Sequence, residues 1–311
     1  MIVDSHMHIF PPLQTSPGWS DPRLHRQMLQ LYISGHHQPV RRLSDHALSP
    51  QAESRDLNAS GTEPLPEVDF RVGAFGRFEW TIDGIDYYRQ FLPPSLQTME
   101  SPVAFVLQEM ANAGVDRVVL QNARIYGKLE EQFAAAVRAH PGKFIGLAGV
   151  DEPNAHTEAE AAALRRSIHE LGLRGVYYAN RGFYRVGYAR SFDDPLYDGY
   201  WSEVAAFGAV VFWELAGVSR PSHESYLAEI DRLNRWTRRH PNVRSVLTHG
   251  IPMAMLHGNV PGPVAELLEN DAVWIEILYP IGIGGTLDYP FVEVQPAIRE
   301  LYRRAGGERL V

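Results

Sequence analysis

The chain has 311 residues, of which 45% are hydrophobic and 21% charged, with a formal net charge of -8. This is the composition of a globular protein, and no broad cluster of Lys and Arg is present, so we expect no nucleic-acid partner. The absence of cysteine excludes disulfides, thiolate nucleophiles and cysteine-ligated metal sites. No apolar run approaches the roughly 20 residues of a membrane span, and no leader-like segment precedes the first strand. We therefore expect a cytoplasmic protein without membrane contact.

The opening stretch "VDSHMHIF" (3–10) has the pattern of a short apolar strand that carries two histidines. Alternation along a strand places His6 and His8 on the same face, together with Asp4. Two neutral imidazoles at this spacing can bind one divalent ion, and a carboxylate from another strand can complete the set. The opening strand therefore predicts a metal site.

From Ser101 onward, helix-patterned and strand-patterned segments alternate with short joints, which is typical of a parallel sheet built from βα units. The predicted helices are 101–114, 129–141, 157–172, 197–207, 222–241, 260–270 and 291–307. The predicted strands after the first are 116–122, 143–150, 173–179, 208–217, 243–250, 272–278 and 308–311. With the opening strand, these segments predict an α/β fold, a (β/α)8 TIM barrel, as a single domain over residues 1–311. Its eighth strand is expected to begin in "ERLV", where the sequence ends.

Residues 11–97 form a long insertion after the first strand. Its polar part, 41–67, has the composition of an exposed loop, and its last third is aromatic and interrupted by glycines. A segment that leaves the carboxyl end of strand one lies over the barrel mouth, so we expect a lid or a dimer arm, and a homodimer. The insertion's histidines, which we expect to be solvated, are His25, His36, His37 and His46. His257 in a later joint is expected to be solvated as well.

The ends of several predicted strands carry groups that bind metals or transfer protons. Besides His6 and His8, these are Asn122, Glu214 and His249. Active sites of barrels lie at the carboxyl ends of the strands, so the side chains are predicted to converge. We predict His6, His8 and Glu214 as metal ligands, and His249 as a general acid or base. Zinc is the first choice, with manganese or iron as alternatives. Glu214 could instead pair with an arginine, and His249 could be a hydrogen-bonded core residue.

The segments "VDSHMHIF", "SFDDPLYDGYWSEVAAFGAVVFWE" and "VRSVLTHG" in this order resemble the amidohydrolase superfamily. The resemblance is to the amidohydrolase-2 branch, which holds aminocarboxymuconate-semialdehyde decarboxylase, resorcylate-type decarboxylases and related hydrolases. It implies a TIM barrel with His6 and His8 as ligands and His249 as the acid or base. This branch usually has His at the end of strand five, where this chain has Glu214, and an Asp after the start of strand eight. Because the sequence ends before such a residue, we expect the natural chain to continue.

We predict a metal-dependent hydrolase of a small organic acid or ring compound, with metal-activated water as nucleophile. The candidates for binding a substrate carboxylate or aromatic ring are Arg77, Trp80, Tyr88, Asn122, Arg124, Tyr126 and Arg181. The alternatives are a non-oxidative metal-dependent decarboxylase, a metal-independent lactonase, and a non-catalytic binding protein.

Overall fold

A computed structural model describes residues 1–36, 38–57, 63–215, 223–256, 258–278 and 290–311. In these residues, seven parallel strands form one sheet that follows the order of the chain. They are β1 (Val3–Met7), β6 (Arg117–Leu120), β7 (Phe144–Ala148), β8 (Gly175–Ala179), β9 (Val210–Glu214), β10 (Ser245–Leu247) and β11 (Val273–Ile275). Each lies within a segment predicted as a strand.

Within the described residues, seven helices connect or follow these strands, as the helical patterns predict. They are α2 (Val103–Ala113), α3 (Glu130–Ala139), α4 (Glu158–His169), α5 (Asp198–Ala206), α6 (His223–Arg239), α7 (Gly262–Glu269) and α8 (Gln295–Ala305). Their ends follow local chemistry: the Thr157 side chain accepts a hydrogen bond from Glu160 N at the start of α4, and Gly114 ends α2 in the left-handed region at φ 69°. The alternation of strands and helices gives the mixed α/β architecture of a TIM barrel.

The sheet is curled, as contacts between residues at its two outer strands show. β1 and β11 lie at opposite edges of the strand order. Even so, the ring Nδ1 of His6 in β1 lies 2.9 Å from Oε2 of Glu276, the residue that follows β11. Leu310 also forms a parallel bridge with Ile275 of β11. The curvature brings the carboxyl ends of distant strands into one cluster.

The insertion after β1 contains a helix and a second sheet. Helix α1 (Pro22–Ile33) begins at Pro22, where the Asp21 side chain accepts from Arg23 N. The antiparallel sheet has the order β2 (Val40–Arg42), β5 (Ile85–Gln90), β4 (Arg77–Ile82), β3 (Arg71–Val72). The patterns predicted neither α1 nor this sheet. One buried apolar cluster includes residues of α1, β4 and β6, so the insertion packs directly on the barrel.

One histidine expected to be solvated is buried. His25 of α1 is 0% exposed, and its Nε2 lies 2.8 Å from the carbonyl oxygen of Ile125. The prediction of a solvated His25 was therefore wrong, because it lies in α1 and packs on the loop that follows β6. His37 and His257 lie outside the described residues. In the described parts of the chain, no helix is both long and apolar enough to cross a membrane.

Candidate active site

The imidazoles of His6 and His8 face each other at the carboxyl end of β1. Their Nε2 atoms lie 3.2 Å apart, and the two rings meet edge to face at a centroid distance of 5.0 Å. Two nitrogens that bind one tetrahedral zinc ion at about 2.05 Å lie roughly 3.3 Å apart. The spacing of the two Nε2 atoms therefore fits shared coordination of one ion.

The other nitrogen of each ring is held by an oxygen. His6 Nδ1 lies 2.9 Å from Glu276 Oε2, and His8 Nδ1 lies 2.8 Å from the carbonyl oxygen of Gln121. Because a carbonyl oxygen and a carboxylate accept hydrogen bonds, each Nδ1 carries a hydrogen, and in the neutral form of each ring Nε2 then presents its lone pair. Metal-ligating histidines are commonly oriented by such a carboxylate or carbonyl partner. Burial, followed by the charge of His6, lowers the pKa of His8 to about 3.

Glu276 connects the ring of His6 with the side chain of Gln121 and the backbone of His249. It is 0% exposed and accepts hydrogen bonds from His6 Nδ1, from Gln121 Nε2 at 2.7 Å and from His249 N at 2.7 Å. The buried carboxylate thus fixes one ring, one side-chain amide and one backbone segment.

His249 lies next to the pair, and its backbone conformation is unusual. Its ring centroid is 5.0 Å from that of His6. His249 has φ 67°, in the left-handed region that L residues seldom adopt, and Gly250 after it has φ 81°. A Cβ at Gly250 would lie 1.7 Å from the carbonyl oxygen of Glu276, so the backbone there accommodates only glycine without a shift. Burial, then the charges of His6 and His8, lowers the pKa of His249 well below its usual value.

Glu214, the predicted third ligand, ends β9 and is held by two phenols. Tyr177 OH donates to its Oε2 at 2.9 Å and Tyr32 OH at 3.3 Å. Burial raises the pKa of Glu214, while the positive charge of Arg181 and the two hydrogen bonds act in the opposite direction. In the described portion of the chain, no three His, Asp or Glu side chains are grouped so that they could hold a metal ion. The structure thus brings His6 and His8 together as a pair and places Glu214 with the tyrosines.

Four of the predicted substrate-binding residues lie around the carboxyl ends of the strands. The Tyr126 ring packs against the His8 ring, with 4.5 Å between the two ring centroids. Arg124 Nε donates to Val150 O at 2.7 Å. Asn122 is 1% exposed, and among the described residues neither its amide nitrogen nor its amide oxygen has a hydrogen-bond partner. Arg181 stacks over Tyr32, with Cζ 4.8 Å from the ring centroid.

The three predicted substrate residues of the insertion make contacts with other parts of the insertion. Trp80 is 0% exposed and donates from Nε1 to Ala52 O at 2.8 Å. Arg77 lies over the ring of Tyr88, with Cζ 4.6 Å from the centroid. All of these contacts lie within the insertion.

Sequence reasoning missed four residues of the site: Gln121, Glu276, Tyr32 and Tyr177. A lone carboxylate within the apolar segment "AVWIEIL" was the available signal for Glu276, because a buried acid needs partners. Gln121, next to the predicted Asn122, could have been found in the same way. Tyr177 and Tyr32 gave no distinguishing signal, since aromatic residues are common in cores.

Parallel strands in chain order, with histidines and a buried carboxylate at their carboxyl ends, are the arrangement found in TIM-barrel enzymes. The model of the amidohydrolase family matches residues 3–311, and the chain belongs to this family. The resemblance in the opening, strand-five and strand-six segments is thereby confirmed. No curated protein matches the sequence.

Several solved structures are similar to this chain at low sequence identity. A probable 2-pyrone-4,6-dicarboxylic acid hydrolase from Acinetobacter baumannii is 14% identical with a TM-score of 0.51, over 68% of this chain and 72% of that one. The 5-carboxyvanillate decarboxylase of Sphingomonas paucimobilis is 19% identical with a TM-score of 0.46, over 66% and 70% of the two chains. The 2,6-dihydroxybenzoate decarboxylase of Rhizobium is 15% identical with a TM-score of 0.48, over 66% and 75%.

Proposed function

We propose that this protein is a metal-dependent hydrolase of a small organic acid or ring compound, and that His6 and His8 hold the metal. The observation that carries the proposal is the 3.2 Å approach of their Nε2 atoms while both Nδ1 atoms face oxygens. With the hydrogens on Nδ1, two nitrogen lone pairs point toward each other at the carboxyl end of a strand. Two such lone pairs repel each other. A cation bound between the two nitrogens would replace the repulsion by coordination.

Zinc fits best, because two imidazoles leave positions open for a carboxylate and for water. When bound, a divalent ion supplies Lewis acidity and a water whose pKa is lowered to about 7. Glu214 is proposed as the third ligand, and it would have to turn from its hydrogen bonds with Tyr32 and Tyr177 to act as one.

His249 is proposed as the general acid or base. Its neighbours are His6, whose ring lies 5.0 Å away, and Glu276, which accepts from its backbone N–H. Burial favours the neutral imidazole, which is the protonation state that a general base needs. The unusual φ of His249 aims the ring at this cluster, and strained backbone of this kind concentrates at functional sites.

Asn122, Arg124, Tyr126 and Arg181 are proposed to hold the substrate. The amide of Asn122, which has no hydrogen-bond partner within the described part of the chain, offers both a donor and an acceptor. Tyr126 presents a ring face beside His8, and the two arginines supply positive charge for a carboxylate. A cytoplasmic location and a homodimer remain predictions from the sequence.

The test is the metal content of protein purified without chelators, measured by plasma mass spectrometry. Wild type is compared with a His6→Ala/His8→Ala variant and with a His156→Ala/His169→Ala variant, which changes two exposed histidines of other segments. We expect about one equivalent of metal in wild type and in the control variant, and none in the first variant. A folded wild-type protein without metal would refute the proposal and favour a lactonase or a binding protein.

Reaction products separate the hydrolase from the decarboxylase. Aromatic carboxylates, lactones and amides are incubated with the zinc-loaded enzyme in ¹⁸O-labelled water. Incorporation of solvent oxygen supports hydrolysis. Release of carbon dioxide with gain of one carbon-bound hydrogen assigns the protein to the decarboxylases instead.

A further inference from the structure

His25 of α1 presents one hydrogen-bond donor to the loop that follows β6. The residue is 0% exposed, and its ring Nε2 lies 2.8 Å from the carbonyl oxygen of Ile125. Because a carbonyl oxygen accepts hydrogen bonds, Nε2 carries the hydrogen. Nδ1 has no hydrogen-bond partner in the parts of the chain that are described, and burial lowers the pKa of His25. The side chain is therefore a neutral imidazole with one directed contact.

This contact fixes the peptide unit that joins Ile125 to Tyr126. The carbonyl of the unit accepts from His25, as given above. Its N–H, which belongs to Tyr126, donates to Ala123 O at 2.9 Å. Both polar groups of this buried peptide unit thus have a partner, as buried backbone requires. Without the imidazole the carbonyl would lose its donor, and the unit would turn toward another one because an unpaired buried carbonyl is costly.

Tyr126 connects this peptide unit with the histidine cluster. The residue is 6% exposed, and its ring stacks on Phe10 with 4.4 Å between the two centroids. It also lies against the ring of His8, at a centroid distance of 4.5 Å. A turn of the peptide unit before Tyr126 would therefore move its ring relative to His8.

Helix α1 can support such a contact because the helix is itself fixed. Gln30 Nε2 donates to Ser54 O at 2.8 Å within the insertion. Tyr32, about two turns after His25, donates to Glu214 at the end of β9. His25 and Tyr32 lie on the same side of the helix and tie it to two separate parts of the barrel.

We propose, on the basis of the function proposed above, that His25 is a positioning residue of the active site, which holds Tyr126 against His8 through the carbonyl of Ile125. Helix α1 of the insertion thereby sets the place of a residue that the proposed function assigns to substrate binding. The action of His25 needs only the donor on Nε2. A different side chain with a donor at the same place should therefore replace it.

The experiment records the ring signals of His8 by nuclear magnetic resonance, in zinc-treated and in metal-free protein with isotope-labelled histidine. The ring current of Tyr126 displaces these signals. Tyr126→Leu gives their positions without that ring, and His8→Ala identifies them. His25→Leu removes the donor, whereas the side-chain amide of His25→Gln places a donor nitrogen near the position of Nε2.

We expect the His8 signals of His25→Leu to move toward their positions in Tyr126→Leu, and those of His25→Gln to stay at the wild-type positions. Met28→Leu, a volume-conserving change at another buried position of α1, is the control and should leave the signals in place. The proposal is overturned if the His8 signals of His25→Leu coincide with those of wild type, or if His25→Gln moves them as far as His25→Leu does.

The metal-free spectra separate this inference from the metal site. A shift of the His8 signals in His25→Leu that is absent in His25→Gln supports the positioning role even if wild type binds no metal. Metal binding by wild type together with unshifted His8 signals in His25→Leu overturns the positioning role and leaves the metal proposal standing.

Two further measurements apply if His25→Leu does not fold. His25→Phe lacks the donor but keeps a ring for stacking on Trp19, whose ring centroid lies 5.7 Å from that of His25, and it should shift the His8 signals in the same direction. The ring nitrogen signals of wild-type His25 need no variant, and we expect them to show a neutral ring with its hydrogen on Nε2. A hydrogen on Nδ1 in place of Nε2, or a charged ring at neutral pH, would overturn the proposal.

Discussion

Replacing Glu276 by glutamine tests the central role of this carboxylate in the site. Glu276 Oε2 accepts from His6 Nδ1 and His249 N, and Oε1 accepts from Gln121 Nε2. In Glu276→Gln, an amide of nearly the same shape has one acceptor oxygen and one donor nitrogen. In one of the three buried contacts, a hydrogen-bond donor of the new amide must therefore face another donor.

The cost follows from these contacts. If the new amide oxygen stays with His6 and His249, both hydrogen bonds lose their charge assistance, about 1 kcal/mol each. The new amide nitrogen then faces Gln121 Nε2, which also donates to Ser5 O, and a broken buried contact costs about 1–3 kcal/mol. The expected loss of unfolding free energy is about 3–5 kcal/mol. Because Glu276 orients His6, the affinity for metal should also fall by about 10–100-fold.

The assay is urea unfolding of the metal-free protein followed by tryptophan fluorescence, with zinc affinity measured separately by competition with a chelating dye. Glu109→Gln on the exposed side of α2 is the matched control, and we expect it to change neither quantity. The reasoning would be refuted if Glu276→Gln unfolds within about 0.5 kcal/mol of wild type and retains its zinc affinity. Such a result would mean that the hydrogen bonds to Glu276 do not hold the histidines.

The remaining predictions concern the surroundings of the cluster. Burial raises the pKa of Glu152 from 4.5 to about 7. The free energy of unfolding should therefore be highest below about pH 4.5 and fall by about 3 kcal/mol as the pH rises to about 7. Glu152→Gln should remove this loss, and urea unfolding at about pH 5 and about pH 8 checks it; equal pH dependence in both proteins would contradict the assignment. Gly250→Ala places a Cβ 1.7 Å from the Glu276 carbonyl and should cost at least about 2 kcal/mol, measured by thermal unfolding; an unchanged midpoint would argue against the backbone geometry. Tyr177→Phe removes a hydrogen bond to buried Glu214 and should cost about 1.5–3 kcal/mol in urea unfolding, whereas no change would indicate that Glu214 finds another partner.

The parallel sheet could be predicted from the sequence because its signals are local. Helical periodicity, apolar runs and punctuation by residues such as Gly114 and Pro141 mark the βα units without reference to distant residues. The convergence of His6, His8 and His249 was predictable as well, since parallel strands present their carboxyl ends at one edge.

The insertion and the partners of the histidines depended on contacts that the sequence does not encode locally. Helix α1 is amphipathic, but a buried His25 within it weakened the helical pattern. Glu276 could be seen as a buried acid, but its contact with His6 depends on how far the sheet curls. Glu214 was predicted from its strand position alone, and its hydrogen bonds with Tyr32 and Tyr177 required the placement of α1.

The contact between His6 and Glu276 joins residues 270 positions apart. At a synthesis rate of about 5–20 residues per second, Glu276 leaves the ribosome roughly 15–50 s after His6. During this interval the His6 ring lacks the acceptor that fixes its orientation in the folded protein. The complete histidine cluster therefore forms late in biosynthesis, and under the proposed function tight metal retention would report the fraction of chains that have finished folding.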